Sequence, residues 1–527
     1  MFSIRRILFT IILWTFACSL VFYLSSSQKF HSQSTLMFGR ELLQKAVEES
    51  SDTASEKNDK LKEYVHTIDE RVPANILNFL SKTSNFPLFN ASSQISSRGV
   101  SSLYPSIYDL DFNNIYWQRS KISNAKFYLY SAYYDQREKV GKLPLVRIIG
   151  MVDKVKPPVS FCHFWYTKGT TIQSLSSEAT YTYMWYYKWG NYKDGILQPF
   201  IISCPLPPSL PQAPNSVSLV GGKLKKISNN LKITYHNPGK REDFAVCVKG
   251  LDFLFEDLSV RLIEWIELLS ILGAKKIFFY LLEVHPNISK VLSYYAKQDI
   301  IEVIPLTLPG EQPNLPGFRH MYLKSKMTNK RQNELIPYND CLYRNLYSFK
   351  YLALLDVDEI IMPLIHGSWK SLMEEILIQA VATEKERWAS YNFQNVYFLD
   401  GLLHGNEKSH NSQKENIPGY LHMLQHVYRS KNYTKPGSYV KCFHDIDRVV
   451  SLHNHFPMHC FDRCTTFSLN TSVAHLQHYR KDCVDSLKNI CTEFRNNTVK
   501  DTSIWRFKDE LIRRTNETLF SLKILLR

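Results

Sequence analysis

The organisation of the chain is clearest in one short stretch, Tyr351-Leu352-Ala353-Leu354-Leu355-Asp356-Val357-Asp358-Glu359. Its first five residues are nearly all apolar, which is typical of a strand buried on both faces in a parallel sheet. Three carboxylates follow within four residues. Because side chains alternate along an extended segment, we expect Asp356 and Asp358 to point the same way. The stretch therefore predicts a buried strand whose carboxyl end carries two paired acidic side chains.

Strand and helix patterns alternate around this stretch. Amphipathic spacing predicts helices, the first of which stops at Gly273. Such alternation is typical of a mainly parallel sheet with helices on both faces, which binds ligands at the carboxyl ends of its strands. We therefore expect an α/β fold. The predicted strands are residues 244–248, 276–282, 300–304 and 351–355, and the predicted helices are residues 257–272, 288–297 and 339–349.

Two carboxylates at such a sheet edge are suited to a divalent cation, which can neutralise the diphosphate of a nucleotide-sugar. Asp-x-Asp alone is frequent by chance, so a solvated turn is the alternative. An EF-hand is excluded, because no Gly or terminal Glu follows at the required spacing. We expect His478 to be a further metal ligand, with His453 as second candidate, and Arg480 to meet a phosphate.

The first segment predicts a membrane anchor. Two arginines precede an uncharged stretch, residues 7–24. As a helix these residues rise about 27 Å, close to the thickness of a hydrocarbon core. The positive flank predicts that residues 1–6 are a cytoplasmic tail and that the rest is luminal. A cleaved signal peptide is the alternative, but the apolar run is longer than a usual signal core.

Composition divides the remainder into four parts. Residues 25–114 are mostly polar and are predicted to form a stem. Residues 115–204 carry aromatic and β-branched runs between turn residues, which predicts a small β-rich domain. Residues 205–241 begin with a proline cluster and are expected to be a linker. Residues 242–527 then hold the α/β pattern.

Cysteine usage and charge agree with a luminal chain. Ten cysteines are present, and the nine beyond the anchor predict disulfides with one thiol left over. Zinc is the alternative for Cys460, Cys464, Cys483 and Cys491, but their spacing is irregular. Six Asn-x-Ser/Thr sequons are supporting observations. The net charge of +15 is spread along the chain without a basic tract, so no nucleic acid partner is expected.

The combination of motifs resembles glycosyltransferase family 92. The matching stretches run in family order over roughly half the chain and are more specific together than any one alone. Two departures exist: Leu354-Leu355 stands where members often have an aromatic residue, and residues 404–418 are a long polar insertion that puts the acceptor in doubt. The matching stretches are Phe244–Lys249, Leu262–Leu269, Leu272–Ala274, Asn339–Leu342, Leu355–Ile360 and His478–Arg480.

The resemblance implies a GT-A-type fold and a type II Golgi membrane protein with a luminal catalytic domain. It also implies manganese-dependent, inverting transfer of a hexose from a UDP-sugar, UDP-galactose in members of known activity, to a glycan or glycoprotein acceptor. Asp356 and Asp358 map to the metal–nucleotide site. Lys249 and Glu264 map near the nucleotide, and Glu359 is expected to act catalytically or to orient the neighbouring backbone.

Two matters stay open at the level of sequence. An inverting transferase needs a carboxylate base, and Asp400, Asp445 and Asp447 are candidates by position alone. The alternative functions are a catalytically inactive luminal relative that binds glycans and a metal-dependent hydrolase. The hydrolase is disfavoured because neither Gly-x-Ser-x-Gly nor His-Glu-x-x-His occurs in the chain.

Overall fold

The computed structural model describes residues 75, 85, 104, 105, 109–168, 171–209, 213–222, 227–383, 387–403, 416–483 and 488–524. All of these residues belong to one compact unit. In this part of the chain, no helix is long and apolar enough to cross a membrane. The predicted tail, anchor and most of the predicted stem lie outside the described residues, so these remain predictions.

The first part of the described chain forms an antiparallel-rich sheet. Ten strands pair in it, in the order β6-β5-β9-β10-β3-β4-β8-β7, with β1 and β2 added beside β3. The strands are β1 (Phe112–Asn114), β2 (Trp117–Ile122), β3 (Ala125–Asp135), β4 (Leu145–Val152), β5 (Phe161–Lys168), β6 (Thr171–Glu178), β7 (Thr180–Tyr183), β8 (Gln198–Pro205), β9 (Ser216–Val220) and β10 (Leu231–Thr234).

Strands β9 and β10 correct the expectation of a linker in residues 205–241. Strand β9 pairs with β5, and β10 pairs with β3 in parallel register. Val217, Leu219 and Leu231 are buried in the core of this sheet. The proline cluster at the start of the segment is typical of a linker, but two short apolar runs after it form strands with buried side chains. This segment is therefore part of the first sheet.

The remainder of the described chain alternates strands and helices, which confirms the predicted α/β class. Its elements are β11 (Glu242–Phe253), α1 (Ser259–Leu272), β12 (Lys276–Val284), α2 (Pro286–Lys297), β13 (Ile301–Pro305), α3 (Pro316–Ser325), α4 (Met327–Arg344), β14 (Phe349–Leu354), β15 (Glu359–Pro363), α5 (Trp369–Thr383), β16 (Ser390–Phe393), β17 (Asn395–Leu399), β18 (Tyr428–Ser430), β19 (Lys441–Asp445), β20 (Val449–Leu452), β21 (Pro457–Cys460), β22 (Thr466–Ser468), β23 (Ala474–Arg480), α6 (Lys488–Asn496), β24 (Thr498–Lys500) and α7 (Lys508–Ser521).

The main sheet of this region has the strand order β13-β12-β11-β14-β19-β16-β22. Strands β13, β12, β11 and β14 are parallel, and the order along the chain reverses between β11 and β14. Such a reversal is a topological switch point, where open α/β sheets bind ligands. Strand β14 ends beside Cys247, while β11 continues alongside β12 to Phe253. A second, three-stranded sheet has the order β15-β23-β17.

Helix α1 illustrates how apolar spacing builds the core. It buries Leu262, Ile266 and Leu269, and each such side chain contributes roughly 1.5–3 kcal/mol when removed from water. The helix ends at Gly273, whose φ of 110° lies in the left-handed region that favours glycine. This stop confirms the sequence prediction.

Helix α4 differs from its prediction. Sequence patterns predicted a helix over residues 339–349, but the helix starts at Met327, and Phe349 already begins β14. Pro337 lies inside the helix, where a proline removes a backbone hydrogen bond and therefore usually indicates a helix boundary. Helix α4 is thus longer and earlier than expected.

Four disulfides are formed in the described residues, and Cys442 is a free buried thiol. This confirms the prediction of disulfides with one thiol left over. It also contradicts the zinc alternative, because the four cysteines in question pair as Cys460–Cys464 and Cys483–Cys491. The other two bonds join Cys162 to Cys204 and Cys247 to Cys341.

Candidate active site

The acidic run forms a tight turn between β14 and β15. The Glu359 carboxylate accepts a hydrogen bond from the backbone N–H of Asp356 at 2.9 Å, and the Glu359 N–H donates to the Asp356 carbonyl at 3.0 Å. The indole N–H of Trp265 donates to the Glu359 carbonyl at 2.8 Å. The run is therefore a turn rather than an extended segment, and Glu359 holds its backbone. The expectation that both aspartates point the same way rested on extended geometry, which this turn does not have.

Asp356 is held by two lysines. Lys249 Nζ lies 3.0 Å from one carboxylate oxygen, and Lys441 Nζ lies 3.6 Å from the other and 3.0 Å from Glu359. Burial alone would raise the pKa of Asp356, but the two ammonium groups outweigh it and lower that pKa below its usual range. Burial would lower the pKa of Lys249, and Asp356 with Glu334 instead raise it. Asp356 is accordingly a carboxylate locked in ion pairs.

Asp358 is the more exposed aspartate and faces His478. Its side chain is 40% exposed, and one of its carboxylate oxygens lies 3.5 Å from His478 Nε2. Burial by itself would raise the pKa of Asp358, but the neighbouring His478 outweighs burial, so the pKa of Asp358 is lowered. The antiparallel register of β15 and β23 places Glu359 opposite His478, and the Asp358 carbonyl accepts from the Tyr479 N–H at 2.8 Å. Sheet register therefore joins two motifs separated by about 120 residues in sequence.

A cavity of about 730 Å³ opens beside this turn. Its lining includes the continuation of β11 past the end of β14 and residues from the end of β23. Its apolar lining includes Leu251, Phe253, Leu258 and Ile288. Its charged lining is mixed, with five basic side chains, Lys249, Arg261, Lys330, Arg480 and Lys481, beside four acidic ones, Glu256, Asp356, Asp358 and Asp482. Such a combination of an apolar wall and convergent charges is typical of a ligand site.

The sequence candidates separate into two groups. The structure brings together Lys249, Asp356, Asp358, His478 and Arg480, either on the cavity wall or in contact with it.

Glu264 and His453 are not among the residues that line the cavity. Glu264 is buried, and its carboxylate accepts the backbone N–H groups of residues 422–424 at 2.7, 3.0 and 3.0 Å. Burial raises its pKa to about 7, against the lowering effect of those three donors. His453 packs against Trp189 and Phe456, and burial lowers its pKa to about 4. No hydrogen bond or ion pair among the described residues joins His453 to the acidic run.

The three carboxylates considered as a base also differ in position. Asp445 pairs with Tyr351 in the antiparallel register, and Tyr351 lies in the first half of β14, whereas the acidic run follows the end of that strand. Asp445 and Asp447 form ion pairs there with Arg387 and Arg241. Asp400 instead lies near the cavity, because His422, one of its hydrogen-bond partners, lines it.

Sequence reasoning missed Lys441. This lysine is fully buried and forms ion pairs with Asp356 and Glu359. No motif in the neighbouring sequence indicates these contacts. Lys441 begins β19, whose five residues are all buried, and a buried lysine is nearly always paired with a carboxylate.

Two groups of three potential metal ligands occur among the described residues, and the acidic run is not one of them. They are Asp400–His422–His426 and Asp482–Cys483–Cys491. The cysteines of the second group are bonded to each other, so they cannot bind a metal. Asp358 and His478 offer two ligands, which suits an ion that also binds the oxygens of its substrate.

Fold and site together define an α/β protein with a charged ligand cavity at the switch point of its sheet. The chain belongs to glycosyltransferase family 92, whose model matches residues 242–515. It is therefore a glycosyltransferase, and enzymes of this class act on glycan acceptors. The earlier resemblance is confirmed.

Other comparisons add little. No curated protein matches this chain. A calcium binding mutant of Bacteroides uniformis beta-glucuronidase 2 is a similar solved structure, with 14% identity and a TM-score of 0.17, covering 49% of this chain and 30% of that one. The chain thus spans under a third of that protein, and so low a TM-score carries no argument.

Proposed function

We propose that this protein transfers a hexose, galactose from UDP-galactose, to a glycan acceptor with inversion at the sugar. The observation that carries the proposal is that Asp358 faces His478 at a cavity that is also lined by Arg480 and Lys481. The donor sugar and the inverting course come from the family resemblance. The charges and shape of the cavity support a nucleoside diphosphate portion.

The divalent ion proposed for this site is manganese. Asp358 and His478 would hold it, because both side chains face each other at the cavity while Asp356 is occupied by two lysines. Carboxylate and imidazole ligands suit such an ion. When bound, it would supply Lewis-acid stabilisation of the leaving diphosphate.

The chain's own residues would bind the rest of the donor. Arg480 and Lys481 stand two and three residues after His478 and line the cavity, so their charges are available to phosphate oxygens. Lys249 would act more by holding Asp356 than by leaving it for a phosphate, since the two are 3.0 Å apart. Phe253 and Ile288 offer an apolar surface against which a nucleobase can pack.

Cellular placement is part of the same proposal. We expect a single-pass type II protein of the Golgi membrane with its catalytic region in the lumen. Four disulfides in the described residues support an oxidising compartment.

The decisive experiment is a donor screen on the purified full-length chain in detergent. A panel of UDP-sugars is offered with manganese and glycan acceptors, and nucleotide release is measured. We expect UDP-galactose to give the highest rate, with loss of activity on chelation. A higher rate with another UDP-sugar would replace galactose in the proposal. Glycan binding without nucleotide release from any donor would favour an inactive relative.

A further inference from the structure

A second cluster of metal-binding groups lies next to the candidate active site. His422 Nε2 and His426 Nε2 both face one oxygen of the Asp400 carboxylate, at 3.2 and 3.1 Å. All three ligand atoms lie within 4.8 Å of one another. His426 is buried, and His422 lines the cavity. None of these residues belongs to the acidic run.

The hydrogen bonds of His426 determine which of its nitrogens is free. Its Nδ1 lies 2.6 Å from the backbone carbonyl of His422. A carbonyl only accepts, so Nδ1 must carry the hydrogen, and in the neutral ring Nε2 then presents a lone pair. That lone pair points at a carboxylate oxygen, which is also an acceptor. Two acceptors 3.1 Å apart need either a shared proton or a metal cation between them.

The distances fit a coordinated ion. Two ligands each about 2.1 Å from a metal lie about 3.0 Å apart in octahedral geometry and about 3.4 Å apart in tetrahedral geometry. The two nitrogen–oxygen separations, 3.1 and 3.2 Å, fall between these values. Metal-binding histidines also donate their other ring N–H to a carbonyl or carboxylate. His426 makes such a bond to the His422 carbonyl.

The protein holds this cluster in place from outside. Glu264 accepts the backbone N–H groups of His422, Met423 and Leu424, which fixes the segment that carries both histidines. Asp400 begins a short 3-10 helix directly after β17, whose neighbour β23 carries His478. Support of this kind is what a preorganised metal site requires.

We propose that Asp400, His422 and His426 form a second metal site, for a divalent ion of the zinc class. Two imidazoles and one carboxylate favour zinc over manganese, which prefers oxygen-rich ligand sets. The ion would join the end of β17 to the segment that forms one wall of the cavity. The alternative is a metal-free cluster in which a protonated imidazole of His422 or His426 pairs directly with the Asp400 carboxylate.

The test is metal content of the full-length chain, purified without added metal and dialysed against a weak chelator. We expect about one zinc ion per chain by mass spectrometry, and less than about a fifth of that in Asp400→Asn and His426→Gln. After stripping, cobalt should restore a visible d–d spectrum in the parent protein but not in these variants.

His366→Gln is the matched control, because His366 also pairs with one carboxylate, that of Glu375, but belongs to no group of three potential ligands in the described part of the chain. It should keep the zinc, and so should Asp358→Asn. If His426→Gln fails to fold, the conservative Asp400→Asn decides. A parent protein that holds no zinc as purified and gives no cobalt spectrum after stripping would overturn the proposal. So would zinc that is lost in Asp358→Asn but kept in Asp400→Asn.

Discussion

Two buried acidic centres of this protein have opposite surroundings. Asp340, on α4, accepts hydrogen bonds from the hydroxyls of Ser131, Tyr133 and Tyr280, each at 2.6 Å, and pairs with Arg344 at 3.1 Å. Every side of its carboxylate is occupied, and it joins the first sheet to the α/β region. The acidic run is also paired with cations, but Asp358 is left facing a cavity.

The comparison teaches how to read a buried carboxylate. Both centres are rich in partners, so the presence of ion pairs does not distinguish structure from function. What differs is whether one face of the carboxylate stays open to a ligand. We therefore expect Asp340 to affect stability and Asp358 to affect catalysis, and the following experiments test that division.

The largest effect should come from Asp358→Asn. Removing the charge while keeping the size takes away a proposed metal ligand at the point where negative charge develops on the leaving diphosphate. We expect transfer to fall about 1,000-fold, as for loss of a main electrostatic group. The thermal midpoint should stay close to that of the parent, because the side chain is partly exposed.

Asp462→Asn serves as control for this loss. Asp462 pairs with Lys139 and Arg448 on the surface and does not line the cavity. Its transfer rate should match the parent rate. A parent-like transfer rate in Asp358→Asn would contradict the proposed role of Asp358 as a metal ligand.

The next effect is on stability, in Asp340→Asn. The asparagine amide leaves Arg344 without its closest anionic partner. It also has one acceptor oxygen instead of two for the hydroxyls of Ser131, Tyr133 and Tyr280. Breaking a buried ion pair costs about 4 kcal/mol, measurable by denaturant unfolding.

The control here is Glu302→Gln, since Glu302 is the exposed, more distant partner of Arg344 at 3.9 Å. It should cost under about 0.5 kcal/mol. The transfer rate of the folded Asp340→Asn fraction should remain near that of the parent. A stable but inactive Asp340→Asn would contradict the division between the two centres.

The smallest effect concerns Glu264, which is enclosed like Asp340 but lies beside the cavity. Its pKa is raised from 4.5 to about 7 by burial. Between these values the folded chain keeps a proton that the unfolded chain releases, so the free energy of unfolding should fall as pH rises from about 4.5 to about 7. The total change is up to about 3 kcal/mol, and it should level off above pH 7.

Glu264→Gln removes this titration. Unfolding of the parent and the variant, measured from pH 4.5 to pH 8, should show the pH dependence over that window only in the parent. Equal slopes in both proteins would assign the pH dependence to other groups.

Much of the fold was predictable because its signals are local. The alternation of apolar strands and amphipathic helices repeats within short windows, and the stop at Gly273 depends on one residue. The start of α4 and the strands β9 and β10 were missed where prolines obscured the pattern.

Site residues that stand in short sequence motifs were predictable, whereas residues that reach the site only through tertiary contacts were not. Asp356, Asp358 and His478 stand in short motifs, and the structure brings them together. Lys441 has no motif, since its two carboxylate partners lie more than 80 residues away along the chain. Asp400 was a candidate base by its position in the sequence alone, and its partners His422 and His426 were not predicted as site residues.

The amino-acid sequence by itself determined a buried strand followed by three carboxylates, and a family pattern around them. Only the tertiary structure decided what each carboxylate does: Glu359 closes the turn, Asp356 binds two lysines, and Asp358 faces His478. The reason is physical. Strands, helices and turns depend on neighbours along the chain, whereas the partners of a charge depend on sheet register and on which strand ends first.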